Sequence, residues 1–140
     1  MALVDENEII EAICAYLGSN GYVVHQRLHT TQHGIDIIAA ETATGRTHYI
    51  EAKGGTSSRH GSARFGKEYT QSQVFDRVAK GVFTALELRA AHPDRDQSIV
   101  SLAVPDGRFF CRYLIPVAPH LAAAGLQLLL VASDHRVLTL

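Results

Sequence analysis

Ile35-Asp36-Ile37-Ile38-Ala39-Ala40, then Thr44-Gly45-Arg46, then His48-Tyr49-Ile50-Glu51-Ala52-Lys53 is the stretch on which the reading of the fold turns. The two outer runs are apolar and interrupted by single polar residues, as strands are, and the Gly-containing segment between them reads as a hairpin turn. An antiparallel pair joined this way brings Asp36 and Glu51 together at one end of a small sheet. Residues two apart on a strand share a face, so Glu51 and Lys53 point to the same side.

Outward from this hairpin the pattern alternates. Residues 5 to 18 carry Ile9, Ile10, Ile13, Cys14 and Leu17 at the spacing of an amphipathic helix. Asp5 is its expected N-cap, Glu8 stands at the capping-box position, and Gly18 and Gly21 are expected to end it. Tyr22 to Leu28 reads as a strand. Gly54 to Gly66 is rich in glycine and serine and reads as a surface loop. A long helix is expected over 69–91, with Val74, Val78, Val82, Ala85 and Leu86 along one side, stopping before Pro93. Ile99 to Val104 is a buried strand by composition. A helix within 108–124 follows, its start obscured by Pro116 and Pro119. Leu128 to Val131 is another apolar strand, with 136–140 returning beside it. The order α-β-β-β-α-β-α-β, with a final β, predicts one α/β domain over residues 1–140, a mixed sheet flanked by helices.

Composition sets limits on partners. The chain has 140 residues, 46% hydrophobic and 19% charged, which supports a single core. A net charge of −1 excludes a bulk polyanion binder, so any nucleic-acid affinity must be local. Residues 53–80 supply the locality: Lys53, Arg59, Arg64, Lys67, Arg77 and Lys80 stand against Glu68 and Asp76, a local net charge of +4. Two cysteines are too few for a disulfide framework, and Cys14 sits among apolar helical positions, so a reducing, cytoplasmic setting is expected. Acidic Asp5, Glu6 and Glu8 argue against a signal peptide. The apolar stretch from Leu121 to Ala132 is too short to span a bilayer, so no membrane partner is expected.

Two carboxylates and a lysine at a strand end are a set able to hold a hard divalent cation with a water beside it, the chemistry of phosphodiester hydrolysis. Here the chain resembles a known family. Ile35-Asp36, then Glu51-Ala52-Lys53, preceded by a helix with acidic residues and followed by a long helix, resembles the PD-(D/E)XK nuclease superfamily of restriction-endonuclease-like enzymes and Holliday-junction resolvases. The residue before Asp36 is Ile35 rather than proline, a position that varies in the superfamily. The resemblance implies a restriction-endonuclease-like three-layer fold with an αβββαβ core. It implies that Asp36 and Glu51 are metal-binding carboxylates and that Lys53 orients or activates the attacking water. Many members add a glutamate from the first helix, for which Glu8 and Glu11 compete, Glu8 slightly favoured. Several use a glutamine on the helix after the lysine strand, a place that Gln73 matches and Gln71 matches less well.

On that reading Mg²⁺ (or Mn²⁺) is held by Asp36, Glu51 and the backbone carbonyl of Ala52, since hard oxygen ligands suit these ions better than zinc. Ser57, Ser58, Arg59, Arg64 and Lys67 in the loop are expected to contact phosphates. His25, Arg27 and His29 alternate like the exposed side of a strand, which argues against a zinc stripe. The expected function is a metal-dependent endonuclease hydrolysing DNA, branched or duplex, in restriction, repair or mobile-element defence. The alternatives are a catalytically silent nucleic-acid-binding module and a partner-activated effector domain of the same fold. The C-terminal apolar strands offer an interface for a homodimer, the form in which such small nucleases often cut two strands.

Overall fold

The computed structural model describes residues 3–29, 33–56 and 67–140. The expected phosphate contacts Ser57, Ser58, Arg59 and Arg64 lie outside the described residues. Helix α1 (Glu6–Ser19) begins on the expected capping box: the Asp5 carboxylate accepts from the Glu8 N–H, and the Glu8 carboxylate accepts from the Asp5 N–H. Gly18 lies inside the helix, which ends instead at Asn20. Strands β1 (Tyr22–Arg27), β2 (Ile37–Glu41) and β3 (Thr47–Ala52) follow, then the long helix α2 (Gln71–Ala91) and strand β4 (Ser98–Pro105). The helix expected within 108–124 is broken at its prolines into α3 (Arg108–Leu114), a 3₁₀ turn (Ile115–Val117) and α4 (Ala118–Ala123). Strands β5 (Leu126–Val131) and β6 (Val137–Thr139) complete the chain.

Among the described residues six strands form one sheet in the order β1-β2-β3-β4-β5-β6. The β1-β2 and β2-β3 pairs are antiparallel, β3-β4 and β4-β5 are parallel, and β5-β6 is antiparallel. The parallel pairs arise where helices make the connection, and the tight Thr44–Arg46 turn makes the β2-β3 hairpin. Gly45 takes φ 74° in that turn, and the Glu41 N–H donates to the Arg46 carbonyl across it.

Strand alternation divides the core between the two faces. Ile37, Ala39, Ile50, Ala52, Ala103, Leu129 and Val131 pack against Ile9, Ile10, Ile13 and Leu17 of α1. Val100, Leu102, Val104, Leu128 and Leu130 pack against Val74, Val78 and Ala85 of α2 and Phe110 and Leu114 of α3. The protein is therefore an α/β structure with a mixed sheet covered on both faces.

One polar network interrupts the α1 side. His48 Nε2 lies 2.6 Å from Ser101 Oγ, and Ser101 Oγ donates to Gln127 Oε1 at 3.0 Å. Since the serine hydrogen is committed to Gln127, His48 must donate from Nε2, which leaves Nδ1 as a buried lone pair with no partner among the described residues. Protonation would put an N–H there with nothing to accept it, and burial lowers the His48 pKa to about 4. The native state thus binds fewer protons than the unfolded chain between about pH 4 and the unperturbed value near 6.5. The contribution of His48 to stability is expected to fall by roughly 2–3 kcal/mol as pH drops through that window, against the opposite change from acids whose pKa is raised. The difference in urea stability between wild type and His48→Gln, measured at pH 7 and pH 4, isolates it and should change by about that amount. A pH-independent difference between the two proteins would contradict this account.

Candidate active site

The side chains singled out by the sequence gather where β2 begins and β3 ends. Pairing of Ile37 with Ile50 sets the register that puts Asp36 opposite Glu51. Asp36 is held on both sides: its carbonyl accepts from the Leu28 N–H at 2.8 Å, and its Oδ2 accepts from the Ala52 N–H at 2.8 Å. Glu51 and Lys53 leave β3 on the α2 side of the sheet and form an ion pair, Nζ to Oε1 3.1 Å, with side chains only 9% and 17% exposed. The Lys53 N–H donates to the Ala103 carbonyl, which extends the β3–β4 pairing through the lysine. Its aliphatic stem runs beneath Gly81 of α2, where an added Cβ would lie 3.2 Å from Lys53 Cγ and 2.9 Å from Leu102 Cδ1. The absent side chain at 81 is what lets α2 settle over the lysine.

A third carboxylate arrives from α1. Beyond β3 the chain passes so close to the start of α1 that a Cβ on Gly54 would sit 2.2 Å from the Glu6 nitrogen. This contact delivers Glu6 to the field of Asp36 and Lys53. Burial, then Asp36, raises the Glu6 pKa, with Lys53 and Arg77 pulling it down. Arg77 comes from α2, its guanidinium 4.5 Å from the Tyr69 ring centre and donating to the Tyr69 hydroxyl.

The electrostatics are those of acids crowded out of water. Burial, reinforced by repulsion from Asp36, pushes Glu51 up to about 7, while Lys53 opposes the shift. Asp36 is raised by burial against the pull of the Ala52 N–H, Lys53 and a hydrogen bond with Glu51. Strongly perturbed acids with a specific charged partner are characteristic of functional sites.

The other expected residues fall elsewhere. Glu8 is exposed and occupied in the α1 capping box. Glu11 is exposed, with Oε2 2.7 Å from Arg27 Nη1 and Oε1 3.7 Å from His29 Nε2. Helix α2 starts at Gln71 rather than 69, which puts Gln73 at the third helical position, where its Oε1 accepts from the Thr70 N–H at 2.9 Å. Lys67 is exposed beside Glu68, which bridges to Thr56 where the strand end and the approach to α2 meet. Sequence reasoning missed Glu6, although a signal was present. Positions 6, 9, 10, 13 and 17 share one helix face, so Glu6 heads the buried stripe. Positions 8 and 11 continue into exposed Ala15 and Gly18.

Three substitutions on α1 separate these roles. Glu6→Gln is expected to lower any metal-dependent activity by about 10- to 100-fold with little change in stability, as loss of a supporting group near a metal does. Glu8→Ala should instead cost about 1 kcal/mol of stability through the cap, and Glu11→Ala less than about 1 kcal/mol as an exposed pair. Activity and urea midpoints measured on the same three proteins decide the assignment. A larger activity loss for Glu8→Ala than for Glu6→Gln would reverse it.

The donor set fits one kind of metal. Asp36, Glu51 and the Ala52 carbonyl offer oxygen alone, the ligand chemistry of Mg²⁺ or Mn²⁺. Among the described residues no group of three or more His, Cys, Asp or Glu side chains is arranged to hold a metal. Two carboxylates still suit Mg²⁺, which keeps several waters and takes further oxygens from a phosphate substrate. Among the described residues no helix is long and apolar enough to cross a membrane. Compared with known proteins, the chain matches no family model, no curated protein and no solved structure.

Proposed function

We propose that this chain is a metal-dependent endonuclease of restriction-endonuclease-like fold that hydrolyses DNA phosphodiester bonds. The observation that carries the reading is the set of buried Glu51 with half-buried Asp36 and Lys53 at adjoining strand ends, with Glu6 and Arg77 brought to it from helices on opposite faces. Mg²⁺ or Mn²⁺ held by Asp36, Glu51 and the Ala52 carbonyl would offset the charge that builds on phosphate oxygens and make water acidic enough to react near neutral pH. Lys53 supplies a charged donor that orients the attacking water. Glu6 accepts a hydrogen bond from water at the rim of the site. Arg77, stacked on Tyr69, offers a planar donor pair to a substrate phosphate. Lys67 and the serine- and arginine-rich segment beyond Thr56 add charge along the DNA backbone.

Nicking of supercoiled plasmid with Mg²⁺, with Mn²⁺ and with chelator tests the reading. Relaxed or linear product in the metal lanes alone supports it. Retarded plasmid with no product in any lane would favour the silent binding module. The same assay across a range of protein concentrations reports on the homodimer, whose C-terminal candidates Leu138 and Leu140 are exposed.

A further inference from the structure

Next along α2 from Arg77 a cleft of about 300 Å³ opens beside Glu51. Its lining is Gly34, Ile35, Glu51, Thr84, Glu87 and Leu88. Ile35 and Leu88 are half-buried and supply apolar walls, while Thr84 and Glu87, three apart on one edge of the helix, present a hydroxyl and a carboxylate. Among the described residues the lining holds two carboxylates and no cationic side chain, a composition that disfavours a phosphate. Apolar walls with a few convergent polar groups are instead the composition of a site for a small organic ring. Its volume stands at the low end of the roughly 300–1,000 Å³ typical of ligand pockets. Because Glu51 belongs both to this cleft and to the proposed metal site, whatever enters lies next to the scissile phosphate.

We propose that the cleft receives one unpaired nucleobase of the substrate strand, so that the enzyme acts on DNA carrying unpaired nucleotides at the cut. This rests on the nuclease reading. A paired base has its hydrogen-bonding edge occupied and its partner strand in the way, and it must leave the duplex at a cost of unstacking and unpairing. A base in a bulge or single strand is spared much of that cost. Inside, the carboxylate of Glu87 accepts from an exocyclic amine, as acidic side chains do from cytosine N4, and the Thr84 hydroxyl can donate or accept. Thymine has no exocyclic amine, and its single edge donor, N3–H, is flanked by two carbonyl oxygens that repel the carboxylate of Glu87. Cytosine and adenine are therefore preferred over thymine.

The test compares one DNA sequence as a perfect duplex, as a duplex with a one-nucleotide bulge and as a single strand, in single-turnover cutting with Mg²⁺. The bulged base is then varied among cytosine, adenine and thymine. The same bulge carrying 2-aminopurine reports base capture by fluorescence in chelator, where no cutting occurs. Bulged and single-stranded DNA should be cut more than about tenfold faster than duplex. Leu88→Trp, which fills the cleft, should bring that ratio toward one, and Glu87→Gln, an exposed change that spares the fold, should erase the preference over thymine. Equal rates on all three substrates, or a ratio unmoved by Leu88→Trp in a folded protein, would overturn the proposal. A nuclease reading that fails alone appears as no cutting of any substrate with a 2-aminopurine signal that Leu88→Trp abolishes. Absence of both signals overturns both.

Discussion

Replacing Glu51 with glutamine is expected to stabilise the metal-free protein by about 2–3 kcal/mol at pH 8 while abolishing the metal-dependent cutting proposed for it. The buried Glu51 carboxyl titrates at about 7 against an ordinary value of 4.5, because burial and Asp36 both disfavour its charge. A folded-state pKa above the unfolded one gives stability that is full below the unfolded value and lost as pH rises through the folded value. Above pH 7 the wild-type protein therefore carries the whole cost of that charge, and below about pH 4.5 it carries none. Glutamine keeps the shape, removes the charge and leaves Lys53 in the field of Asp36. The advantage of the variant should accordingly shrink toward zero as pH falls from 8 to 4.5. Urea titrations in chelator at several pH values measure it. Added Mg²⁺ should raise the midpoint of the wild type and leave the variant nearly unmoved, a metal readout independent of cutting. A variant less stable than wild type at pH 8 would show that the ion pair with Lys53 outweighs the crowding of acids.

Gly54→Ala is expected to destabilise the protein by more than about 3 kcal/mol, beyond the usual cost of overpacking. The added carbon would lie 2.2 Å from the Glu6 nitrogen, 2.7 Å from the Asp5 carbonyl carbon and 2.9 Å from the Glu6 Cα. All three are backbone atoms of the α1 start, so no rotamer change relieves the clash. Either α1 moves away, taking Glu6 from the site, or the end of β3 shifts and displaces Lys53. Activity should fall with stability. Gly81→Ala makes a useful contrast, since its nearest obstacles, Leu102 Cδ1 at 2.9 Å and Lys53 Cγ at 3.2 Å, are side-chain atoms able to yield. It should cost less stability and affect mainly the placement of the lysine. Thermal melts beside rate measurements distinguish the two, and a Gly54→Ala protein as stable as wild type would contradict the packing described here.

The parts of the site legible in sequence are those governed by local periodicity. Thr44-Gly45-Arg46 specified the hairpin, and the two-residue strand repeat then aligned Asp36, Glu51 and Lys53 without any tertiary information. The α1 cap was equally local, and it engages Glu8, whose carboxylate accepts from the Asp5 N–H. Glu6 was harder because its role depends on the meeting of Gly54 with the helix start, a contact between segments far apart in the chain. Gln73 turned on a shift of two residues at a helix boundary, where Thr70 rather than an earlier residue provides the cap. The broken helix after β4 reflects Pro116 and Pro119, whose effect on continuity was readable while the resulting boundaries were not. Arg77 reads in sequence only as one charge of the basic stretch 53–80, and its place over the Tyr69 ring is visible only in three dimensions.

The most direct measurement is plasmid and branched-junction cutting by wild type, Asp36→Ala and Lys53→Ala, each purified identically and assayed with Mg²⁺, Mn²⁺ and chelator. Metal-dependent cutting by the wild type, lost by roughly a thousandfold or more in both variants as expected for removal of a metal ligand or its charged partner, is the predicted result. Cutting that survives Asp36→Ala would contradict the account, because Asp36 is the carboxylate hydrogen-bonded to Ala52 opposite Glu51 and the first ligand assigned to the metal.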